Sequence, residues 1–178
     1  MRKHVITGLL LLFSVALFAQ APPAPDPAAQ AAEIKKVEFL VGEWSGEGWM
    51  DMPGGKRETF TSWEKVVKKV NGTALLVEGL HKSKATGEVV HETLAMLTYD
   101  PGAKNYSFRT ALANGRAGNF TGSVPGENVF VWGMSSPRSQ IRYTIKLNDK
   151  GEWFEVGEFS PNGETWRKFF EMTLRKVK

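Results

Sequence analysis

The chain has 178 residues, of which 23 are Lys or Arg and 19 are Asp or Glu, for a formal charge of +4. Arg2 and Lys3 belong to an N-terminal leader, which leaves 21 basic residues against 19 acidic ones, too even a balance for a nucleic-acid binder. No cysteine is present, which excludes disulfides, Cys-ligated zinc, iron–sulfur clusters, thiol catalysis and a lipoprotein anchor.

Residues 1–19 read as a secretory signal peptide. Arg2, Lys3 and His4 form a positive end, Val5 to Phe18 is apolar, and Ala16, Ala19 and Ala21 supply small residues for cleavage. The apolar run is short for a spanning helix. Cleavage after Ala19 is expected, which makes the protein periplasmic or secreted with no membrane span left. Residues 20–27 form a Pro/Ala-rich linker, and Pro22, Pro23 and Pro25 stiffen it. The domain is expected over 28–178. Asp26-Pro27 is a helix start, and Ile34, Val37 and Leu40 recur at helical spacing over Ala28 to Leu40 until Gly42 ends the helix.

After Gly42, turn signals recur every 8 to 14 residues or so, a spacing that suits a sandwich or barrel. They are Asn71-Gly72, Thr86-Gly87, Asp100-Pro101-Gly102, Asn114-Gly115, Pro125-Gly126, Ser136-Pro137, Asn148–Gly151 and Pro161-Asn162-Gly163. Ile141, Tyr143, Ile145 and Leu147 alternate with polar residues, as do Trp166, Phe170, Met172 and Leu174. Lys65, Lys68 and Lys69 read as a solvated strand face. Sequential hairpins without a crossover helix predict an all-β fold. It is an antiparallel up-and-down barrel of about ten strands with a short N-terminal helix as plug or lid, because closure removes both sheet edges.

The segment Phe39 to Gly48, a short helix running into Leu-x-Gly-x-Trp-x-Gly-x-Gly, resembles the calycin superfamily of lipocalins and fatty-acid-binding proteins. More closely, it resembles nitrobindin and a related bacterial family of unknown function. Tyr99-Asp100 followed by Tyr106 and Phe108 adds to the likeness. Nitrobindin-like proteins hold haem through a histidine near the start of the last strand. Phe169 or Phe170 stands there in this chain and no histidine follows His91, so no cofactor is expected. The Arg-x-Tyr pair of the fatty-acid-binding proteins is also missing. On physical grounds Gly42, Trp44, Gly46 and Gly48 are structural. Trp44 fills the closed end of the barrel, and the glycines let a strand bend where strands crowd. Trp49 and Trp153, beside turns, are expected to tolerate replacement better.

Four residues are candidates for ligand contact. His81 and His91 flank the Lys84–Glu88 turn, and with a three- or five-residue loop there they face each other across neighbouring strands, with Glu92 on the opposite face. Two imidazoles could begin a metal site or an acid–base pair, but no third ligand is visible and no metal is expected. Arg109 is expected to point inward to an anionic headgroup, with Tyr106 and Phe108 facing away. Trp132 is one of several tryptophans available to line an apolar pocket, and Gly46, Gly79, Ala95, Gly118 and Gly133 offer room. No nucleophile elbow, phosphate loop or paired-carboxylate pattern appears, and no catalytic residue is assigned. The expected function is an exported binding protein for a small apolar or amphipathic molecule. The alternatives are a barrel-cavity enzyme using His81 and His91, and an envelope interaction protein with a filled barrel. The oligomeric state is left open.

Overall fold

The computed structural model describes residues 26–136 and 139–177. The expected signal peptide and most of the linker lie outside the described residues, as does Pro137. The first element is helix α1 (Pro27–Lys35), capped by Asp26, whose Oδ1 accepts from the Ala29 amide at 3.0 Å. A short 3-10 turn over Glu38–Leu40 follows, so the helix expected to Leu40 is broken after Lys35. Ile34, Val37 and Leu40 are nonetheless all buried on one side, because a spacing of three survives the tighter turn.

Ten strands follow: β1 (Gly42–Asp51), β2 (Arg57–Lys69), β3 (Ala74–Ser83), β4 (Val89–Asp100), β5 (Asn105–Leu112), β6 (Ala117–Gly126), β7 (Val129–Ser136), β8 (Ser139–Leu147), β9 (Trp153–Ser160) and β10 (Arg167–Lys176). Each pairs antiparallel with its sequence neighbour, and β1 pairs with β10 to close the barrel. The fold is the closed ten-stranded barrel that the hairpin spacing predicts.

Two local expectations are corrected. Pro125-Gly126 is not a turn but the bulged end of β6; the chain reverses at Glu127-Asn128, with Asn128 at φ +55°. Trp166 does not continue the inward face of β10. The β9–β10 register shifts between Lys168 and Phe170, which changes the side-chain parity. Trp166 instead carries the guanidinium of Arg142 over its ring, 4.0 Å from the centroid, and Arg142 pairs with Glu158.

An up-and-down barrel sends alternate hairpins to opposite ends. One end, with the β2–β3, β4–β5, β6–β7 and β8–β9 turns, is plugged by α1, which packs on β3, β4 and the β2–β3 turn. Tyr106 ties the plug down by donating its hydroxyl to the Glu33 carbonyl at 2.9 Å. Trp44, 1% exposed, donates its indole N–H to the Leu40 carbonyl at 2.8 Å and meets Trp153 edge-on at 5.8 Å. A carbonyl at the end of a helical turn and a buried indole N–H would each be costly if unpaired, and here they satisfy each other.

Candidate functional site: a polar cluster in an apolar cavity

Between the plug and the other end of the barrel lies a cavity of about 310 Å³. Pockets for small molecules span roughly 300 to 1,000 Å³, so this one is at the small end of that range. Leu40 is its floor, and Met50, Leu112 and Met134 stand at its mouth, where Met134 is 51% exposed. Strand alternation supplies the wall. Phe108 and Thr110 of β5, Phe130 and Trp132 of β7, Ile141, Tyr143 and Ile145 of β8, and Phe170 and Met172 of β10 all point inward. Trp132 and Tyr143 stack face to face, with centroids 4.1 Å apart and planes 8° from parallel. Glycine makes room for rings at this crowded wall. A Cβ on Gly48 would lie 2.7 Å from Phe60, and one on Gly157 would lie 2.8 Å from Tyr143.

Into this apolar wall the chain sets two acids. Glu64 follows Phe60 and Ser62 on the inward face of β2, and Glu155 follows Trp153 on that of β9; they are 4% and 5% exposed. Burial pushes the Glu155 carboxyl up to about 8, opposed by the indole N–H groups of Trp153 and Trp132. Trp153 Nε1 donates to Glu155 Oε2 at 3.1 Å, whereas Trp132 Nε1 completes no hydrogen bond. Glu64 is raised well above the usual carboxylate range, first by burial and then by the charge of Glu155. Both lie where a charge is poorly solvated, so each tends to keep its proton.

The two histidines are brought together as expected. His81 and His91 are register partners on β3 and β4 with ring centroids 5.1 Å apart, and Glu92 points outward. His81 is 3% exposed and packs against Phe60 at 4.5 Å. Its Nε2 is 3.7 Å from Glu64 Oε1, and its Nδ1 is buried without a partner. Burial, and then His91, lower the His81 pKa to about 3; burial lowers that of His91 as well. At neutral pH both imidazoles are therefore uncharged. No group of three or more His, Asp or Glu among the described residues is arranged to hold a metal ion.

Arg109 is not part of the site. Tyr106 and Phe108 are the buried residues of β5, so Arg109 lies on the outer surface in a shallow groove with Ser107 and Asn119. The aromatic parity of the strand decides its orientation: turning Arg109 inward would expose both rings. Trp132 does line the cavity. Gly79 faces Glu64 and Gly118 faces Phe120, while Gly46 and Gly133 stand where a neighbouring strand's backbone comes close. Glu64 and Glu155 are site residues that the sequence analysis does not single out. The parity of Phe60-x-Ser62-x-Glu64-x-Val66 was the signal for the first, and the step of two from Trp153 was the signal for the second.

No family profile matches the chain, and no curated protein matches its sequence. Solved structures do. Rv2717c from M. tuberculosis superposes with a TM-score of 0.60 at 15% identity, covering 82% of this chain and 98% of that one. The S-type phycobiliprotein lyase CPES from Guillardia theta superposes with a TM-score of 0.58 at 9% identity, covering 87% and 99%. At these identities the likeness is one of fold: a closed antiparallel β-barrel, here of ten strands.

Proposed function

We propose that the protein is an exported binding protein that holds one small apolar or amphipathic molecule inside the barrel. The observation that carries this reading is the cavity of about 310 Å³, walled by aromatic and aliphatic side chains and ending in a buried polar cluster. Few polar groups set in an apolar wall give orientation, while the wall gives affinity. A filled barrel, the interaction-protein alternative, leaves no such space. Export rests on the leader at residues 1–19. The enzyme alternative gains from the structure, since Glu64 joins His81 and His91 in one cavity and protonated carboxyls beside neutral imidazoles are acid–base equipment. Binding remains the primary reading because it needs only the space and its lining.

The test uses prodan, a neutral dye whose emission shifts to the blue in an apolar site. The wild-type protein is expected to give a saturable, equimolar blue shift. Thr110→Trp, which fills the cavity from β5, is expected to abolish it while leaving the thermal melt cooperative. Absence of saturable binding, or equal binding by a folded Thr110→Trp protein, overturns the reading.

A further inference from the structure

The polar cluster carries a sign. Glu64 and Glu155 both open onto the cavity, yet no Lys or Arg is among its lining residues. Among the described residues neither acid is in an ion pair with Lys or Arg. The rim acid, Asp51, is already matched, by Arg57 at 3.0 Å and Arg167 at 3.3 Å. An anionic headgroup entering the cavity would meet two carboxyls and no cation, an arrangement that rejects it.

A second observation is independent of the acids. His81, almost wholly buried in the same wall, leaves Nδ1 without a hydrogen-bond partner. A neutral imidazole carries one proton, and in the tautomer with that proton on Nε2 the Nδ1 atom is an acceptor. Buried acceptors without donors are costly, and a ligand that brings N–H groups relieves them.

We propose that the cavity is selective for a small hydrophobic amine, an apolar or aromatic body bearing one protonated nitrogen, with Glu64 and Glu155 as its counter-charges and His81 Nδ1 as an acceptor. The proposal rests on the binding reading above and names the ligand class for that same site. The proton balance is simple. An ammonium ion that docks against a protonated carboxyl makes it ionise, and the carboxyl proton leaves to solvent. The other titratable groups lining the cavity are His81, His91, Tyr143 and Asp51. Three of them stay uncharged at neutral pH, and Asp51 is held by its arginines.

Three probes sharing one naphthalene body separate the possibilities: 2-naphthylmethylamine, 2-naphthylmethanol and 2-naphthoate, each titrated against bound prodan at neutral pH. The amine is expected to displace the dye with at least about tenfold higher affinity than the alcohol, and the carboxylate most weakly of all. In Glu64→Gln and Glu155→Gln, which keep the side-chain shape, the amine should lose about tenfold or more while the alcohol changes by less than roughly threefold. The alcohol and the dye report that the variants are folded. Calorimetry in buffers of different ionisation enthalpy should show proton release with the amine and none with the alcohol. If prodan binds but the alcohol or the carboxylate matches the amine, the amine proposal fails and the binding reading stands. If the Gln variants hold the amine as well as wild type, the proposal also fails. If prodan itself does not bind, both fall.

Discussion

A Cβ placed on Gly79 would lie 2.7 Å from both carboxylate oxygens of Glu64, so the carboxyl of one strand occupies the space that a side chain on the next would need. The two residues are register partners on β3 and β2. Gly79→Ala should therefore push the Glu64 carboxyl aside. Overpacking of this kind costs about 1 to 3 kcal/mol. The expected outcome is a lower melting temperature, recovered in part by Glu64→Ala in the same chain. A Gly79→Ala protein that melts with wild type would show that the carboxyl has room to move.

Trp44 and Trp153 should behave as a pair. Trp153, expected from its place beside a turn to be tolerant, is buried, meets Trp44 edge-on at 5.8 Å and donates to Glu155. Either replacement by Ala should cost about 3 to 5 kcal/mol, through lost burial and the cavity left behind. Because the rings touch, the double variant should cost less than the sum. Trp49 is half-buried on the outside, with the Arg57 guanidinium 3.4 Å above its ring, and Trp49→Ala should cost roughly 1 kcal/mol. Chemical denaturation of the four proteins checks the order; a Trp153→Ala protein as stable as Trp49→Ala would contradict it.

Stability should be greatest in mildly acidic solution. Glu155 is raised from 4.5 to about 8, so between these values the folded protein holds a proton that the unfolded chain has lost, and stability falls as pH rises. His81 is lowered from 6.5 to about 3, so in that window the unfolded chain holds the extra proton and stability rises with pH. The two trends oppose each other between about 4.5 and 6.5, where stability should be level. Above that window only the carboxyl acts, and below it only the histidine. Glu64 steepens the alkaline limb and His91 the acidic one. Melting temperatures measured across the range check this, and Glu155→Gln should flatten the alkaline limb. A melting temperature that climbs from about 6.5 to 8 would refute the burial of an uncharged Glu155.

Arg109→Ala should leave dye and amine binding unchanged within roughly a factor of two, since its side chain lies outside the wall. A loss of tenfold or so in ligand affinity, with the melt unaltered, would place the guanidinium at the site after all.

The barrel was readable because hairpin spacing and alternation are local. Gly42 to Gly48, the turn residues and the cleanly alternating β8 carried it. What the sequence hid depends on parity across irregular stretches. One extra residue between Lys168 and Phe170 turns Phe169 as well as Phe170 to the cavity and Trp166 away from it. The chemistry of Arg109 suggests an inward side chain, but Tyr106 and Phe108, on the other parity, have the stronger claim to burial. Glu64 and Glu155 are ninety-one positions apart, and only barrel closure, through β1 and β10, brings them near each other.

The described residues begin and end on the plugged side. Asp26 begins the helix that plugs this end, and Lys176 pairs with Trp44 beside it. A handle joined directly before Asp26 or directly after Val177 would sit on the side away from Met134 and the mouth. Protein tethered to a sensor chip by either end should thus present its opening to the flowing solution, and the two orientations should report the same affinity for a captured molecule.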